Sequence, residues 1–278
     1  LCRSAETAYD NAGGEAPVYV IGTEVPVPGG ATEAIEGLAV TTPQAALATI
    51  EAHRQAFVDA GLEAAWHRVI ASVVQPGVEF DHHNVVDYQP QKARELSHAI
   101  TAVPGMVFEA HSTDYQTRDG LATLVRDHFA ILKVGPGLTF ALREALWALD
   151  AIEREWVDEA YRANLREVVL RRMRAEPGYW QRYYHGEGHA LTVDLQYSLS
   201  DRIRYYWPDP VIEQARQRLF DNLRESPPPL PLISQFLPHA LHALRNGTAS
   251  RDPLSLTMAH ISAALDDYHH ACQDHDTH

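Results

Sequence analysis

The fold is decided by residues 106–138, which run MVFEAHSTDYQTRDGLATLVRDHFAILKVGPGL. The apolar runs Met106 to His111 and Phe129 to Val134 have the length and composition of buried strands. Between them a helix is predicted near Asp119 to Arg126, and a longer helix is predicted from Leu138 toward Val157. The stretch therefore predicts two strand–helix units in series.

The same alternation precedes this stretch. Pro17 to Gly22 and Val69 to Gln75 predict strands, and helices are predicted from Thr42 and over Gln89 to Ile100. Four strand–helix units in series predict parallel strands, which fit either a (β/α)₈ barrel or a doubly wound sheet. A doubly wound sheet usually has a Gly-rich first turn, which is not evident here. We therefore predict an α/β fold of the TIM (β/α)₈ barrel family, with only the C-terminal four βα units and a helical region after them.

The pattern changes after Val157, where helices follow one another without strands. We predict that residues 1–158 form the C-terminal half of a (β/α)₈ barrel and that residues 159–278 form a helical appendage packed on it. Within the appendage, Tyr179 to Trp207 is rich in Tyr, Trp and Arg, the residue types enriched in interface hot spots. Packing of the appendage against the barrel is the alternative reason for these residues.

Composition excludes several classes of protein. The 278 residues carry a formal charge of −14, which argues against a nucleic-acid partner because such partners require a positive face. No apolar run approaches the roughly 20 residues of a membrane span. The two cysteines, Cys2 and Cys272, lie at opposite ends of the chain, so the sequence contains no disulfide framework and a reducing compartment is expected.

Polar side chains follow each predicted strand. They are Glu24 after the first, Gln75 after the second, Glu109 with His111 at the end of the third, and Lys133 at the fourth. In a barrel the carboxyl ends of the strands meet at one rim, and chemistry occurs there. The sequence therefore predicts that these side chains line one mouth.

Glu109 and His111 are the leading candidates for catalysis or metal binding. They are two residues apart on a strand, so they share a face, and a carboxylate with an imidazole suits a divalent metal. Two ligands are too few, so further ligands would have to come from Glu24 or from the half of the barrel that is expected to precede Leu1. A hydrogen-bonded pair that positions Asp114 and Tyr115 is the alternative.

Lys133 is one of only two lysines in the chain. An inward lysine could neutralise a phosphate, pair with Glu109 or act as a catalytic amine, and we favour the first two roles. Gly135 and Gly137 precede the Leu138 helix and could offer backbone amides to a phosphate, although a tight turn explains them equally well. Asp81, His82 and His83 are interpreted as solvated surface residues because their spacing matches no closed metal site.

Five segments carry a resemblance to a known family. They are VYVIGTEVPVPGG (18–30), VVQPGVEFDH (73–82), EAHSTDYQT (109–117), HFAILKVGP (128–136) and YSLSDRIRYYWP (197–208). In sequence and order they resemble the non-catalytic subunit family of class II D-tagatose-1,6-bisphosphate aldolase, whose members are also labelled tagatose 6-phosphate kinase. The N-terminal barrel strands of that family have no counterpart here, so the chain is expected to be an N-terminally truncated member.

The resemblance implies a cytoplasmic TIM-barrel protein of galactitol or N-acetylgalactosamine catabolism. Its implied role is to stabilise and activate the separate zinc-dependent catalytic subunit. At the mouth, Glu24, Gln75, Asp114, Lys133, Gly135 and Gly137 are then candidate phosphosugar-binding residues, and zinc is a candidate metal in the full-length protein. The alternative function is a metal-dependent phosphosugar lyase or 4-epimerase that acts on tagatose and fructose phosphates. The chain contains no Gly-x-x-x-x-Gly-Lys-Ser/Thr loop, which argues against the kinase label.

Overall fold

A computed structural model describes residues 1–23, 30 and 38–273 of the chain. The strands are β1 (Tyr19–Ile21), β2 (Val69–Val74), β3 (Glu79–Phe80), β4 (Val85–Val86), β5 (Val107–Ala110) and β6 (Ile131–Leu132). Four of them form a parallel sheet in the order β1-β2-β5-β6, and β3 and β4 form a separate antiparallel hairpin in the loop after β2.

Helices make up most of the remaining described chain. They are α1 (Cys2–Ala12), α2 (Pro43–Asp59), α3 (Glu63–Trp66), α4 (Pro90–Ile100), α5 (Arg118–Arg126), α6 (Pro136–Trp156), α7 (Leu165–Ala175), α8 (Gly188–Tyr197), α9 (Pro210–Glu225), α10 (Leu230–Phe236), α11 (Pro238–Arg245) and α12 (Pro253–Gln273). Short 3₁₀ turns occur at Glu159–Tyr161, Pro177–Tyr179 and Arg202–Tyr206.

The order of the parallel strands follows the chain without a reversal. Val73 of β2 pairs with Glu109 of β5, and Glu109 pairs in turn with Ile131 of β6. A doubly wound sheet would reverse its order at a switch point, so this order favours the barrel family. The predicted α/β class with a parallel sheet is confirmed.

A first apolar cluster covers one face of the sheet. Phe108 of β5 is fully buried and stacks on Phe129, with 5.7 Å between the ring centroids. Helices α2, α4 and α5 supply the facing residues, among them Ile50, Leu96 and Leu124. Helix α2 begins where the sequence predicts it, because Thr42 accepts a hydrogen bond from the Ala45 amide at 3.2 Å and Pro43 follows at the first helical position.

A second apolar cluster lies among the helices that follow the sheet. Its fully buried members include Leu149 of α6, Val169 of α7, Leu219 of α9 and Leu256 of α12. Helix α12 also returns to the first cluster, where its Ala271 is buried. Helices α6 and α12 therefore connect the sheet and the helical part.

Local predictions differ from the structure in the helical part. The sequence after Val157 predicts a helix over Glu159 to Arg174, but this helix begins only at Leu165, because Asn164 adopts the left-handed conformation at a φ of 50°. The apolar pattern near Leu232 to Leu244 predicts one helix, but the structure has two, interrupted before Pro238, which lacks the amide hydrogen that a continuous helix needs. Within the described residues, no helix is both long and apolar enough to cross a membrane.

Candidate functional site

Three of the predicted site residues lie together at the carboxyl end of the sheet. The His111 Nε2 atom is 3.3 Å from the Glu109 Oε1 atom, and the Lys133 Nζ atom is 3.9 Å from the same oxygen. The parallel register explains the contact, because Glu109 pairs with Ile131 and Lys133 lies two residues further on the same face. We call these residues the Glu109–His111–Lys133 cluster.

The members of this cluster differ in exposure. The side chains of His111 and Glu109 are 9% and 12% exposed, whereas that of Lys133 is 57% exposed. Burial, and next the Lys133 ammonium, lower the pKa of His111 to about 4. The imidazole is therefore neutral at neutral pH. The exposed ammonium remains available to an anionic ligand.

The cluster does not by itself provide a zinc site. Structural and catalytic zinc sites use at least three protein ligands, and Glu109 and His111 supply two. Among the residues that the structure describes, no group of three His, Cys, Asp or Glu side chains could hold a metal ion. Lys133 also places a positive charge beside the shared carboxylate. Glu24, the other predicted contributor, lies outside the described residues.

Asp114 binds the amides that the sequence offers to a phosphate. Its Oδ1 atom accepts hydrogen bonds from the Gly135 amide at 2.8 Å and the Gly137 amide at 2.7 Å. A Cβ atom on Gly137 would lie 3.0 Å from this oxygen, so the close approach favours glycine. A phosphate could use these two amides only by displacing Asp114.

Gln75 follows β2 directly, and its side chain forms hydrogen bonds within the loop after that strand. Its Oε1 atom accepts hydrogen bonds from the Gly77 and Val78 amides at 2.8 and 3.0 Å. Its backbone exchanges hydrogen bonds with Thr41, through the Thr41 amide and the Thr41 hydroxyl. Gln75 therefore shapes the loop after β2, and its side-chain oxygen is engaged in that loop.

The loop after β5 contains strained residues that the sequence did not reveal. Ser112 and Tyr115 have φ values of 57° and 64°, a region that residues other than glycine rarely adopt. Such strain persists only where the surroundings enforce it, and it is common at functional sites. No side-chain pattern marks it, because these positions are not glycines.

Tyr115 is held by three parts of the molecule. Its ring makes edge contacts with Phe80 of β3 and Phe140 of α6, at centroid distances of 5.1 and 5.3 Å. Its hydroxyl donates a hydrogen bond to the Leu199 carbonyl at 2.6 Å. The strained loop is thereby fixed to the segment that precedes the Arg202–Tyr206 turn.

Two further buried carboxyl groups flank this loop. Glu79 is 8% exposed, and burial raises its pKa, while the side chain of Ser112 opposes the shift by hydrogen bonding. Asp201 accepts a hydrogen bond from the Thr139 hydroxyl, and burial raises its pKa to about 6. Both residues were missed because their burial depends on contacts between distant parts of the chain.

The interpretation of His82 as a solvated surface residue was wrong. Its Nε2 atom lies 2.9 Å from the Tyr183 carbonyl, its Nδ1 atom lies 3.1 Å from the Ser198 hydroxyl, and burial lowers its pKa. His83 is more exposed, but its Nε2 atom is 2.7 Å from an Asp194 oxygen. The two histidines attach the β3–β4 hairpin to the segment around α8.

Comparisons with known proteins agree with this architecture. A sequence model of the family described as D-tagatose-1,6-bisphosphate aldolase subunit GatZ/KbaZ-like matches residues 1–273. A crystal structure from Sinorhizobium meliloti 1021, of a protein called a probable tagatose 6 phosphate kinase, is similar with a TM-score of 0.86 and 46% sequence identity. The similarity covers 97% of this chain and 66% of the Sinorhizobium protein, so this chain spans just under two thirds of that protein's length.

Proposed function

The chain belongs to the GatZ/KbaZ-like family of D-tagatose-1,6-bisphosphate aldolase subunits, and from this premise we propose that it is an accessory subunit of that aldolase. Its role is to bind, stabilise and activate the separate catalytic subunit in galactitol or N-acetylgalactosamine catabolism in the cytoplasm. The observation that carries the proposal is the match of the aldolase-subunit family model to residues 1–273. Within the described residues, the Glu109–His111–Lys133 cluster supplies two metal ligands beside a lysine, and a zinc site uses at least three.

We propose different roles for the part of the chain that contains the sheet and for the helical part that follows it. Residues 1–158 contribute four of the eight strands of a barrel and form its mouth, and residues 159–278 form the appendage that supports the mouth. The sequential strand order and the contact between Tyr115 and Leu199 support this division.

The accessory role is tested by adding the chain to the purified catalytic subunit. We expect the aldolase rate and the thermal stability of the catalytic subunit to rise, and the two proteins to elute together in gel filtration. Serum albumin at the same concentration serves as the control. An unchanged rate without co-elution would exclude the accessory role.

We also propose that the mouth binds the phosphate of a phosphosugar through Lys133. The exposed ammonium supports this role, whereas the Gly135 and Gly137 amides are already bonded to Asp114. Lys133→Gln is expected to weaken the binding of tagatose 6-phosphate by about tenfold, the effect of losing one charge-assisted contact. Lys92→Gln is the matched control, since Lys92 is the other lysine and lies exposed on α4. Equal affinities of the two variants in calorimetry would argue against this role of Lys133.

A phosphosugar lyase or 4-epimerase is the second candidate function. The observation that favours it is the neutral, buried imidazole beside a carboxylate, because this pair could relay a proton. It requires turnover of tagatose or fructose phosphates by the isolated chain with divalent metal added, and loss of that turnover with EDTA and in Glu109→Gln. Absence of turnover under these conditions would remove this candidate.

A further inference from the structure

One surface of the helical part combines exposed arginines with exposed tyrosines. We call it the arginine–tyrosine surface. Tyr179, Arg204 and Tyr205 contact one another, through the stacked tyrosine rings and the Arg204 guanidinium on the Tyr205 ring. Arg171, Arg174 and Arg182 are included as exposed residues close to Tyr179 in the chain. None of them belongs to the Glu109–His111–Lys133 cluster.

The aromatic part of this surface is preorganised. Tyr179 and Tyr205 stack with 5.5 Å between their centroids, yet they remain 54% and 38% exposed. The Arg204 guanidinium lies 4.6 Å from the Tyr205 ring centroid and donates a hydrogen bond to the Tyr205 hydroxyl at 3.0 Å. Rings that are held in place lose little freedom on binding, and Tyr and Arg are the residue types that dominate interface energetics.

The charge of this surface is opposite to that of the protein. Residues 171–205 contain six arginines and four acidic residues, whereas the whole chain carries a formal charge of −14. Asp194 contacts His83 and Asp201 bonds to Thr139, but Arg172 also pairs with Asp209 and Arg202 is buried. This leaves Arg171, Arg174, Arg182 and Arg204 beside the exposed Glu176 and Glu187. Arg171, Arg174 and Arg182 are exposed, and in the part of the chain that the structure describes none of the three forms an ion pair. The surface is therefore a positive region on an acidic protein.

This surface is directly connected to the mouth. Ser198 to Asp201 lie between its elements and form three hydrogen bonds with the mouth. The Leu199 carbonyl accepts a hydrogen bond from the Tyr115 hydroxyl, and the Leu199 amide donates one to the His82 carbonyl. Asp201 accepts the third from the Thr139 hydroxyl. A protein bound at the Arg202–Tyr206 turn would thus lie against the segment that fixes the mouth loops.

We propose that the arginine–tyrosine surface is the docking site for an acidic face of the aldolase catalytic subunit. This inference rests on the proposed accessory function and specifies which surface performs it. The charge of the surface is the reason for choosing an acidic partner face, because carboxylates on that face would pair with the exposed arginines around the stacked tyrosines. A second copy of this chain is the competing occupant, and the experiment distinguishes it.

The test titrates fluorescently labelled catalytic subunit with the 278-residue chain at about 50 and about 300 mM NaCl, concentrations between which surface charges become strongly screened. The double variant R174E/R182E changes two exposed side chains, and Tyr179→Ala removes one stacked ring. We expect each to weaken binding by about tenfold or more, and the double variant to lose most of the salt dependence. The controls are Arg94→Glu, an exposed arginine on α4, and Tyr161→Ala, an exposed tyrosine before α7, and we expect both to bind within twofold of the unmodified chain.

The possible results separate this inference from the proposed function. If the unmodified chain binds the catalytic subunit and the surface variants bind equally well, the surface is wrong and the accessory function stands. If the controls lose as much affinity as the surface variants, the surface assignment is also wrong. If the variants change only the self-association of the chain, measured by sedimentation, the occupant is a second copy and the proposal is overturned. If the unmodified chain does not bind at all, the accessory function fails and the docking site fails with it.

Discussion

The carboxylate of Asp114 joins the loop after β5 to the first turn of α6. It is 3% exposed, and burial raises its pKa while the Gly137 and Gly135 amides oppose the shift. The two hydrogen bonds thus compensate for burying the carboxyl group. The residue acts as an internal anion at a helix N-terminus, where another barrel could bind a phosphate.

Asp114→Ala leaves these two amides without their acceptor. We expect the free energy of unfolding to fall by about 1–2 kcal/mol, the usual cost of losing a helix cap. Asp114→Asn keeps an acceptor oxygen and should lose less. Urea denaturation measures both, with Asp10→Ala on the exposed face of α1 as the control. A loss in the control as large as in Asp114→Ala would contradict the capping role.

Asp201 gives a pH dependence with a defined sign. Its folded-state pKa of about 6 lies above its ordinary value of about 3.9, so the folded chain binds the proton more tightly than the unfolded chain does. Its contribution to stability is therefore greatest below about pH 4 and is lost as the pH rises through about 6. Asp201→Asn removes this dependence.

The stability gained by Asp201→Asn relative to the unmodified chain should increase between about pH 4 and about pH 6, by up to about 3 kcal/mol, and then level off. Denaturation curves at several pH values measure it. Asp119→Asn, at an exposed position of α5, is the control for the same substitution outside a buried site. Parallel curves for Asp201→Asn and the unmodified chain would contradict the prediction.

At the scale of elements, helix α12 contacts both the part of the chain that contains the sheet and the helical part. It packs against both α5 and α6, and its Tyr268 hydroxyl donates a hydrogen bond to the Thr113 carbonyl at 2.9 Å. Further along the helix, Ala271 is fully buried in the first apolar cluster, which covers the sheet. The last turns of α12 thus cover the loop that contains Asp114.

Ala271→Glu places a charge in this apolar contact. We expect a loss of about 3 kcal/mol or more in the free energy of unfolding, because the carboxylate has no buried partner there. His269→Glu, at an exposed position of the same helix, should cost less than about 0.5 kcal/mol. Thermal and urea unfolding of the pair give the comparison, and similar losses would show that α12 does not seal the sheet.

The sequence predicted the elements with strong periodicity and missed those set by distant contacts. Strands β5 and β6 and helices α2 and α4 were predicted from apolar runs and caps. The hairpin of β3 and β4 was missed because each strand has two residues, too few for an alternating pattern. The proximity of Glu109, His111 and Lys133 follows from strand alternation and parallel pairing. The hydrogen bonds of the Gly135 and Gly137 amides could not be predicted in this way, because their acceptor, Asp114, lies more than 20 residues away in the chain.

At the scale of the whole molecule, one helix, α12, contributes residues to both apolar clusters. Helix α6 begins beside Asp114 and supplies Leu146, Leu149 and Ile152 to the second cluster, and α12 touches both clusters. Loss of either cluster would remove packing partners of α12. The molecule is therefore expected to unfold cooperatively.

We expect one unfolding transition. Far-ultraviolet circular dichroism, which reports on the helices, and near-ultraviolet circular dichroism, which reports on aromatic packing, should give the same midpoint in urea. Ala271→Glu should lower both midpoints together. Two separate transitions, with the helical part more stable, would show that the clusters are independent.

The contact between Tyr268 and Thr113 joins residues that are 155 positions apart. A ribosome releases the strands and the mouth loop long before it has synthesised Tyr268, so the nascent chain carries that loop without its final support. This loop therefore gains its contact with α12 only after the last helix of the described chain has been synthesised.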